Sequence, residues 1–369
     1  MPNWCVNAGW HDRIPLLQIR LVSTEPPQYL CEWNIFLQEV IDLETMQAWV
    51  VKEYGKPEDL VFEQIPIPVL EHDGPNAADT LVKVEAAALN FADEIAIAGR
   101  YQDRIEPPFV PGNELAGTVV KTSAGSRFQP GDRVACQVPS GAFAQYCAVP
   151  SDRLMAIADL DAQTAAALPV SYTTAHVALF QKGNLAAGQT VLIHAAAGGL
   201  GMAAMQLARS AGARIIATAG AEEKRRLVAE HGADHVIDYR NPDWPKQVKA
   251  LAPQGVDIVV DPVGGAISEQ SLRLLGWQGK LLICGFASGE IPALKANYML
   301  VKSASVHGVF WSFDRDPDGI RAIQQELVDH CTAGQFRPLI RDVYPMGELV
   351  EAMKALRSRG TVGKVILSW

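Results

Sequence analysis

The chain has 369 residues, of which 49% are hydrophobic and 20% charged, a globular balance with apolar material for two cores rather than one. Its formal net charge of −9 and its scattered Lys and Arg argue against nucleic-acid backbone binding, which needs clustered cations. No apolar run reaches the ~18 residues of a membrane-spanning helix, so no membrane partner is expected.

Six cysteines (Cys5, Cys31, Cys136, Cys147, Cys284, Cys331) lie far apart without C-x-x-C spacing, which reads as reduced thiols in a cytoplasmic compartment. The first residues lack a basic segment followed by an apolar one, so no secretory leader is expected.

Residues 1–45 carry Trp4, Trp10, Trp33 and a Pro26-Pro27 break, with no sustained period. Two readings fit them: an N-terminal appendage, or a stretch upstream of a start at Met46. The second is the expectation, and no chemistry is assigned to the segment.

From Met46 to about Val170 the chain reads as β-rich. Ala48–Val51, Thr80–Val84, Leu115–Val120 and Arg133–Cys136 are short apolar runs bounded by Gly, Pro and Asp. In Gln129-Pro130-Gly131-Asp132, Pro presets φ and Gly tolerates positive φ, which makes a turn.

Near Ser171 strands begin to alternate with helices. Thr190–His194 precedes the helical stretch Gly201–Ser210, and Arg214–Thr218 precedes Ala221–His231. His235–Ile237, Asp243–Ala250, Asp257–Val260, Ile267–Leu275 and Lys280–Cys284 continue the series. Leu200, Ala203, Leu207 and Ala211 recur at helical spacing, and the strands are almost wholly apolar, as in a parallel sheet covered on both faces. The expected fold is α/β: a doubly wound parallel sheet over residues 171–311.

After about Trp311 two amphipathic helices follow. One carries Ile320, Ile323, Leu327 and Cys331 and is stopped by Gly334; the other spans Glu348–Arg357. Val365–Leu367 closes as a strand. This tail, 312–369, is expected to rejoin 46–170 as a discontinuous domain around the inserted one.

The strongest local signal is Val191-Leu192-Ile193-His194-Ala195-Ala196-Ala197-Gly198-Gly199-Leu200-Gly201: strand, small-residue turn, helix. Gly198 lets backbone approach a pyrophosphate, Gly201 lets the helix pack on the strand, and free N–H groups at the helix start would receive phosphates. Ala196 stands where the usual fingerprint has its first glycine. The next strand ends Thr218-Ala219-Gly220 without the acid that accepts from adenosine ribose hydroxyls in NAD sites. Lys224 and Arg225 follow, and Tyr239 ends the third strand; these suit a 2′-phosphate, so NADPH is the expected cofactor. Glu222 and Glu223 leave open a plain solvated face for Lys224-Arg225-Arg226.

Further motifs run the length of the chain: Ala88-Leu89-Asn90-Phe91-Ala92-Asp93, Gly99-Arg100-Tyr101, Pro111–Gly117, Gly131–Val134, Gly255-Val256-Asp257, Asp261–Gly265 and Gly363-Lys364-Val365. With Ala195–Gly201 and in this order, they resemble the zeta-crystallin-like quinone oxidoreductases, zinc-free members of the medium-chain dehydrogenase/reductase superfamily, over Met46–Trp369. The resemblance implies a GroES-like catalytic domain beside a Rossmann domain and a cofactor cleft between them. It places Thr174 near the nicotinamide and Ala197, Gly198, Gly199, Leu200 and Gly201 at the pyrophosphate. Gly220, Lys224 and Tyr239 would take the 2′-phosphate. Gly285, Phe286, Phe310 and Trp311 would line the nicotinamide half, with Lys364 as a further cofactor contact or a cap of the preceding helix. Asn90 and Tyr101 would face nicotinamide and substrate. It also implies a homodimer through the sheet edge around Ser305–Trp311. Ile95, where some relatives carry Tyr, separates this chain from them in substrate detail.

Asn90–Asp93 occupies the place of the first Cys ligand of zinc alcohol dehydrogenases, and no four-cysteine cluster exists, so no metal is expected and Glu114 reads as a structural carboxylate. Hydride transfer without a Lewis acid suits acceptors that are already electrophilic: quinones or α,β-unsaturated carbonyls. Asn90 and Tyr101 are the candidate donors to the developing oxyanion, and Asp93 either joins them or orients the loop. His176 and His194 are read as structural. Two other readings remain: reduction of an acryloyl-CoA-like enoyl thioester, and an NADPH-binding structural or regulatory protein without turnover.

Overall fold

In the computed structural model, residues 45–70, 77–157 and 159–369 are described; apart from Thr45, the expectations for residues 1–45 lie outside them. The strands, in chain order, are β1 Thr45–Val50, β2 Val61–Pro66, β3 Thr80–Leu89, β4 Glu114–Thr122, β5 Arg133–Gln137, β6 Tyr146–Val149, β7 Met155–Ala156, β8 Thr190–Ile193, β9 Arg214–Thr218, β10 His235–Ile237, β11 Val256–Asp261, β12 Leu275–Ile283, β13 Ser305–Gly308, β14 Ile340–Pro345 and β15 Lys364–Ser368.

Two large sheets organise these strands. The first runs β14-β15-β3-β4-β5-β7, with β6 also paired to β3. Its longest strand, β3, contains Ala86-Ala87-Ala88, all fully buried. An alanine run is a good helix former in isolation. Here it is flanked by β4 on one side and β15 on the other, and the small side chains let a short helix, Ala162–Ala166, lie close. Ala86, Ala88, Ala116 and Ala135 share one core with Ala165, Ala166 and Ala167. Gly117 in β4 has the same logic at its limit, because a Cβ there would sit 1.9 Å from the Lys83 carbonyl oxygen. The last residues of the chain complete this sheet: β15 runs antiparallel to β3 and parallel to β14.

The second sheet is wholly parallel, in the order β10-β9-β8-β11-β12-β13. In order of appearance this is 3-2-1-4-5-6, the doubly wound arrangement whose switch point lies between its first and fourth strands, here β8 and β11. Val191, Leu192, Ile193, Val259 and Val260 are fully buried, as two covered faces require. The boundary at Leu275 differs from the sequence expectation. The helix Gly265–Leu274 stops one residue early and β12 begins at Leu275. Leu275 pairs with Val256, the register then jumps to Ile258 opposite Lys280, and Gln278 adopts φ +57° within the bulge.

No helix among the described residues is long and apolar enough to cross a membrane. The four cysteines among the described residues, Cys136, Cys147, Cys284 and Cys331, are free thiols.

Candidate cofactor and active site

The switch point of the parallel sheet is occupied by the glycine turn. β8 ends at Ile193, and the chain turns through Ala195, which carries φ +49°. Ala195 is thus a non-glycine residue in the left-handed region. The helix Gly199–Ser210 then starts behind Gly198, with no side chain capping its first amides. A Cβ on Gly201 would lie 2.4 Å from the Ala195 carbonyl oxygen and 2.6 Å from the Ala196 Cα; only glycine permits this helix-to-strand approach. A Cβ on Gly198 would meet only the Ala195 oxygen, at 3.4 Å, which leaves its outer side open to a ligand. Uncapped amides behind a bare glycine fit a pyrophosphate. The C-terminal strand adjoins this turn: the Gly363 N–H donates to the Ala197 carbonyl at 2.8 Å.

The end of β9 carries the basic group. The Tyr239 hydroxyl would stand 3.1 Å from a Cβ on Gly220, so the glycine makes room for the phenol. Lys224 Nζ donates to the carbonyl oxygens of Arg359 and Thr361, each at 2.7 Å, and burial lowers its pKa. Arg359 Nη1 donates to the Tyr239 hydroxyl at 3.3 Å. Arg225 is occupied by the Gly220 carbonyl and by Asp238, the latter at 2.8 Å. Asp238, which Arg240 holds down to about 2 chiefly by hydrogen bonding, is thus paired with two arginines. Sequence reasoning misses Arg359, which reads as one more basic residue after a helix; only the return of the tail to the nucleotide domain brings it to Tyr239.

At the other end lies a buried polar cluster. Asn90 precedes the helix Phe91–Ile97 and its N–H donates to the Asp93 carboxylate at 2.7 Å. Its side-chain amide donates to Asn113 Oδ1 at 2.9 Å and to Glu114 Oε1 at 2.6 Å. Both amide protons are therefore engaged, and its Oδ1 accepts from Lys364 Nζ at 2.9 Å. Lys364 also pairs with Glu114, whose other oxygen accepts from the Val170 N–H at 2.8 Å. Asp93 is 2% exposed. Burial, with Glu114 adding to it, raises its pKa to about 7 against the opposing Asn90 N–H and Lys364. Partial burial also raises Tyr101, with the Asp103 and Asp93 carboxylates contributing, so the phenol stays protonated at neutral pH.

Thr174 and Trp311 meet: the indole Nε1–H donates to Thr174 Oγ1 at 2.9 Å, and Thr174 donates to the Val170 carbonyl at 2.7 Å. Phe310, beside Trp311, is exposed. Gly285 and Phe286 form the turn after β12, and Phe286, also exposed, packs over Gly264. His194 is buried between Thr218 Oγ1 at 3.0 Å and Ser271 Oγ at 2.7 Å, and burial pushes its pKa down to about 4. It is a neutral structural bridge. His176 lies against Phe180, 3.8 Å from Glu326.

A glycine turn at the switch point of a 3-2-1-4-5-6 sheet, with a polar cluster from a second sheet beside it, is the arrangement of a dinucleotide-binding fold. The family model described as alcohol dehydrogenase GroES-like domain matches residues 76–159, and that described as zinc-binding dehydrogenase matches residues 199–326. The chain is 36% identical over 331 residues to the quinone oxidoreductase-like protein 2 homolog of Nematostella vectensis, covering 87% of this chain and 88% of the relative. Among solved structures it is similar to a mycobacterial protein complexed with NADPH, at TM-score 0.81 and 31% identity, covering 88% of this chain and all of that one. It is likewise similar to the quinone oxidoreductase of Thermus thermophilus, solved alone and with NADPH, at TM-score 0.73, 35% identity and the same coverage. The chain belongs to the quinone oxidoreductase-like proteins of the medium-chain dehydrogenase/reductase superfamily. It is an oxidoreductase of that type, with a Rossmann domain and a GroES-like domain.

Proposed function

We propose that this protein is an NADPH-dependent, metal-independent reductase that delivers hydride to quinones or α,β-unsaturated carbonyl compounds. The observation that carries the reading is the adenosine end of the site. Lys224, Arg359 and Tyr239 converge beside Gly220, and the tip of β9 offers no carboxylate. A free acid there would repel a 2′-phosphate; a guanidinium, an ammonium and a phenol attract it. Lys224 has three protons and two carbonyl partners, so one N–H remains for a ligand.

Gly198, Gly199 and the uncapped amides of the following helix would hold the pyrophosphate. NADPH supplies a hydride from its nicotinamide ring. The chain's own residues then have three tasks: to seat a flat acceptor against that ring, to steady charge developing on its oxygen, and to deliver a proton. Asn90 is a framework residue in this scheme, because both of its amide protons are already engaged. Tyr101, protonated and partly buried, is the proton donor, and Asp93 fixes the loop that carries it through the Asn90 N–H. Glu114 is matched by the Lys364 ammonium, so a metal cation would have to displace an existing positive charge. Among the described residues no group of three or more His, Cys, Asp or Glu is placed to hold a metal. Acceptors polarised by their own conjugation suit such a site.

The test follows NADPH absorbance with a panel of quinones, enals and enoyl-CoA esters. Oxidation by quinones or enals is expected. Turnover with the thioesters alone would transfer the reading to an enoyl-thioester reductase, and tight NADPH binding without oxidation by any acceptor would make the chain a nucleotide-binding protein without turnover.

A further inference from the structure

We infer that Thr174 is a positioning residue for Trp311, and that the indole so fixed is the wall that sets which acceptors fit. The inference rests on the reductase reading above and deepens it. Thr174 Oγ1 has a single proton, and it goes to the Val170 carbonyl at 2.7 Å. Its oxygen accepts the Trp311 indole N–H at 2.9 Å. With its only proton engaged, the hydroxyl cannot donate to a cofactor amide; what it does is orient an aromatic ring.

The hydrogen bonds continue beyond this pair. The Val170 N–H donates to Glu114 Oε2 at 2.8 Å, and Glu114 Oε1 accepts from Asn90 and Lys364. Trp311 is therefore tied, through Thr174 and one residue of backbone, to the same carboxylate that organises Asn90. The segment is fixed from its other side too. Val309, which is buried, donates its N–H to the Ile283 carbonyl at 2.8 Å, at the C-terminal end of β12. That is the end of a doubly wound sheet at which ligands bind. Trp311 packs on the large core with part of its surface free, and Phe310 beside it is 46% exposed. A tryptophan held by its one polar atom, at the ligand end of the sheet and next to an exposed phenylalanine, is suited to stacking on a planar conjugated acceptor.

The experiment compares Thr174→Val, Thr174→Ser and Trp311→Phe, using a one-ring and a three-ring quinone as acceptors. Thr174→Val and Trp311→Phe each remove the same hydrogen bond, the first at nearly constant volume and the second together with one ring of the indole. Each is expected to shift the ratio of kcat/KM toward the larger quinone by about threefold to tenfold, the range of one net hydrogen bond, with the change in KM rather than kcat. Thr174→Ser is expected to restore the wild-type ratio. The double variant Thr174→Val/Trp311→Phe is expected to match Trp311→Phe alone, because Thr174 acts only through the indole. NADPH affinity is expected to stay within about twofold of wild type in all four, a change too small for the loss of a charged contact.

A fall in NADPH affinity in Thr174→Val, with the acceptor ratio unchanged, overturns the inference and returns Thr174 to the cofactor. Simple addition of the two single effects overturns it as well. Failure of the reductase reading is seen separately. A three-ring quinone that quenches tryptophan fluorescence in wild type but not in Trp311→Phe, without turnover, sinks that reading and supports the wall. Quenching that does not depend on Trp311 sinks the wall.

Discussion

Lys364 and Glu114, 250 residues apart in the chain, form an ion pair in which the two side chains are 3% and 0% exposed. They start β15 and β4, two of the strands that pair with β3. Between them Asn90, one residue past the end of β3, hydrogen-bonds to both. The pair therefore joins three strands at the point where the first sheet faces the glycine turn, and the Lys364 stem also lies against Gly199.

Removing one member of such a pair leaves a buried charge without compensation, at a cost of about 3–5 kcal/mol. Lys364→Met is expected to lose stability of that order in urea denaturation. Glu114→Gln is expected to cost about as much, since it strands the buried Lys364 ammonium and its single amide oxygen cannot serve both the Val170 N–H and the Asn90–Lys364 side. Unchanged stability in Lys364→Met would mean that the pair does not hold the three strands together.

The adenosine end gives a prediction that separates charge from architecture. Lys224 also fastens the nucleotide domain to the backbone of residues 359–361, so Lys224→Ala is expected to weaken both NADPH and NADH. Arg359 is exposed and its guanidinium donates to the Tyr239 hydroxyl there. Arg359→Ala is expected to weaken NADPH by about tenfold, as for a charge-assisted hydrogen bond, and to leave NADH unchanged. Fluorescence titration with both nucleotides measures this. A wild-type protein that prefers NADH would remove the basis of the 2′-phosphate reading.

Two buried groups give opposite pH dependences of stability. Asp93 is raised to about 7 in the folded state by burial, so between roughly pH 4 and 7 the native protein holds a proton that the unfolded chain has released. Its contribution falls as pH rises through that window. His194 is lowered to about 4, again by burial, so between roughly pH 6.5 and 4 the unfolded chain takes the proton and stability falls as pH falls. Thermal melts from pH 4 to 8 should show the acid-side loss reduced in His194→Gln, and the decline toward neutral pH reduced in Asp93→Asn. An Asp93→Asn variant with the same pH profile as wild type would mean that the carboxyl is ionised throughout.

Much of this arrangement is legible in the sequence, because the relevant signals are local. The βα alternation, the turn Ala195–Gly201 and the missing acid after Thr218 all lie within short stretches of chain. What is not legible depends on distance. Arg359 reaches Tyr239 only because the tail folds back across 120 residues. Thr174 gives no sign in sequence of meeting Trp311, 137 residues away; the family resemblance says only that it stands near the nicotinamide. Asn90 reads as a donor to substrate, whereas Asn113 and Glu114 take both of its amide protons; single-residue reasoning cannot count a side chain's partners. The strand β3 runs past its expected end for the same reason, since alanines 86–88 owe their extended state to neighbours on both sides rather than to propensity.

The glycine turn allows stability and binding to be separated with one methyl group at each of two sites. At Gly201 the added Cβ would meet backbone at 2.4 and 2.6 Å, and backbone within a strand-to-helix turn cannot yield as a side chain can. Gly201→Ala is therefore expected to destabilise the fold by about 1–3 kcal/mol, as overpacking does. At Gly198 the same methyl meets one oxygen at 3.4 Å, an ordinary contact, and the backbone there has φ −85°, which any residue adopts. Gly198→Ala is expected to melt within about 1 °C of wild type, in line with surface substitutions that disturb no packing. Its methyl would instead stand where a pyrophosphate approaches the helix amides, so NADPH affinity should fall by about tenfold or more, as when a charged hydrogen-bonded group is held off its donors. Wild-type affinity in Gly198→Ala would show that the phosphates lie elsewhere, whatever the stability of Gly201→Ala.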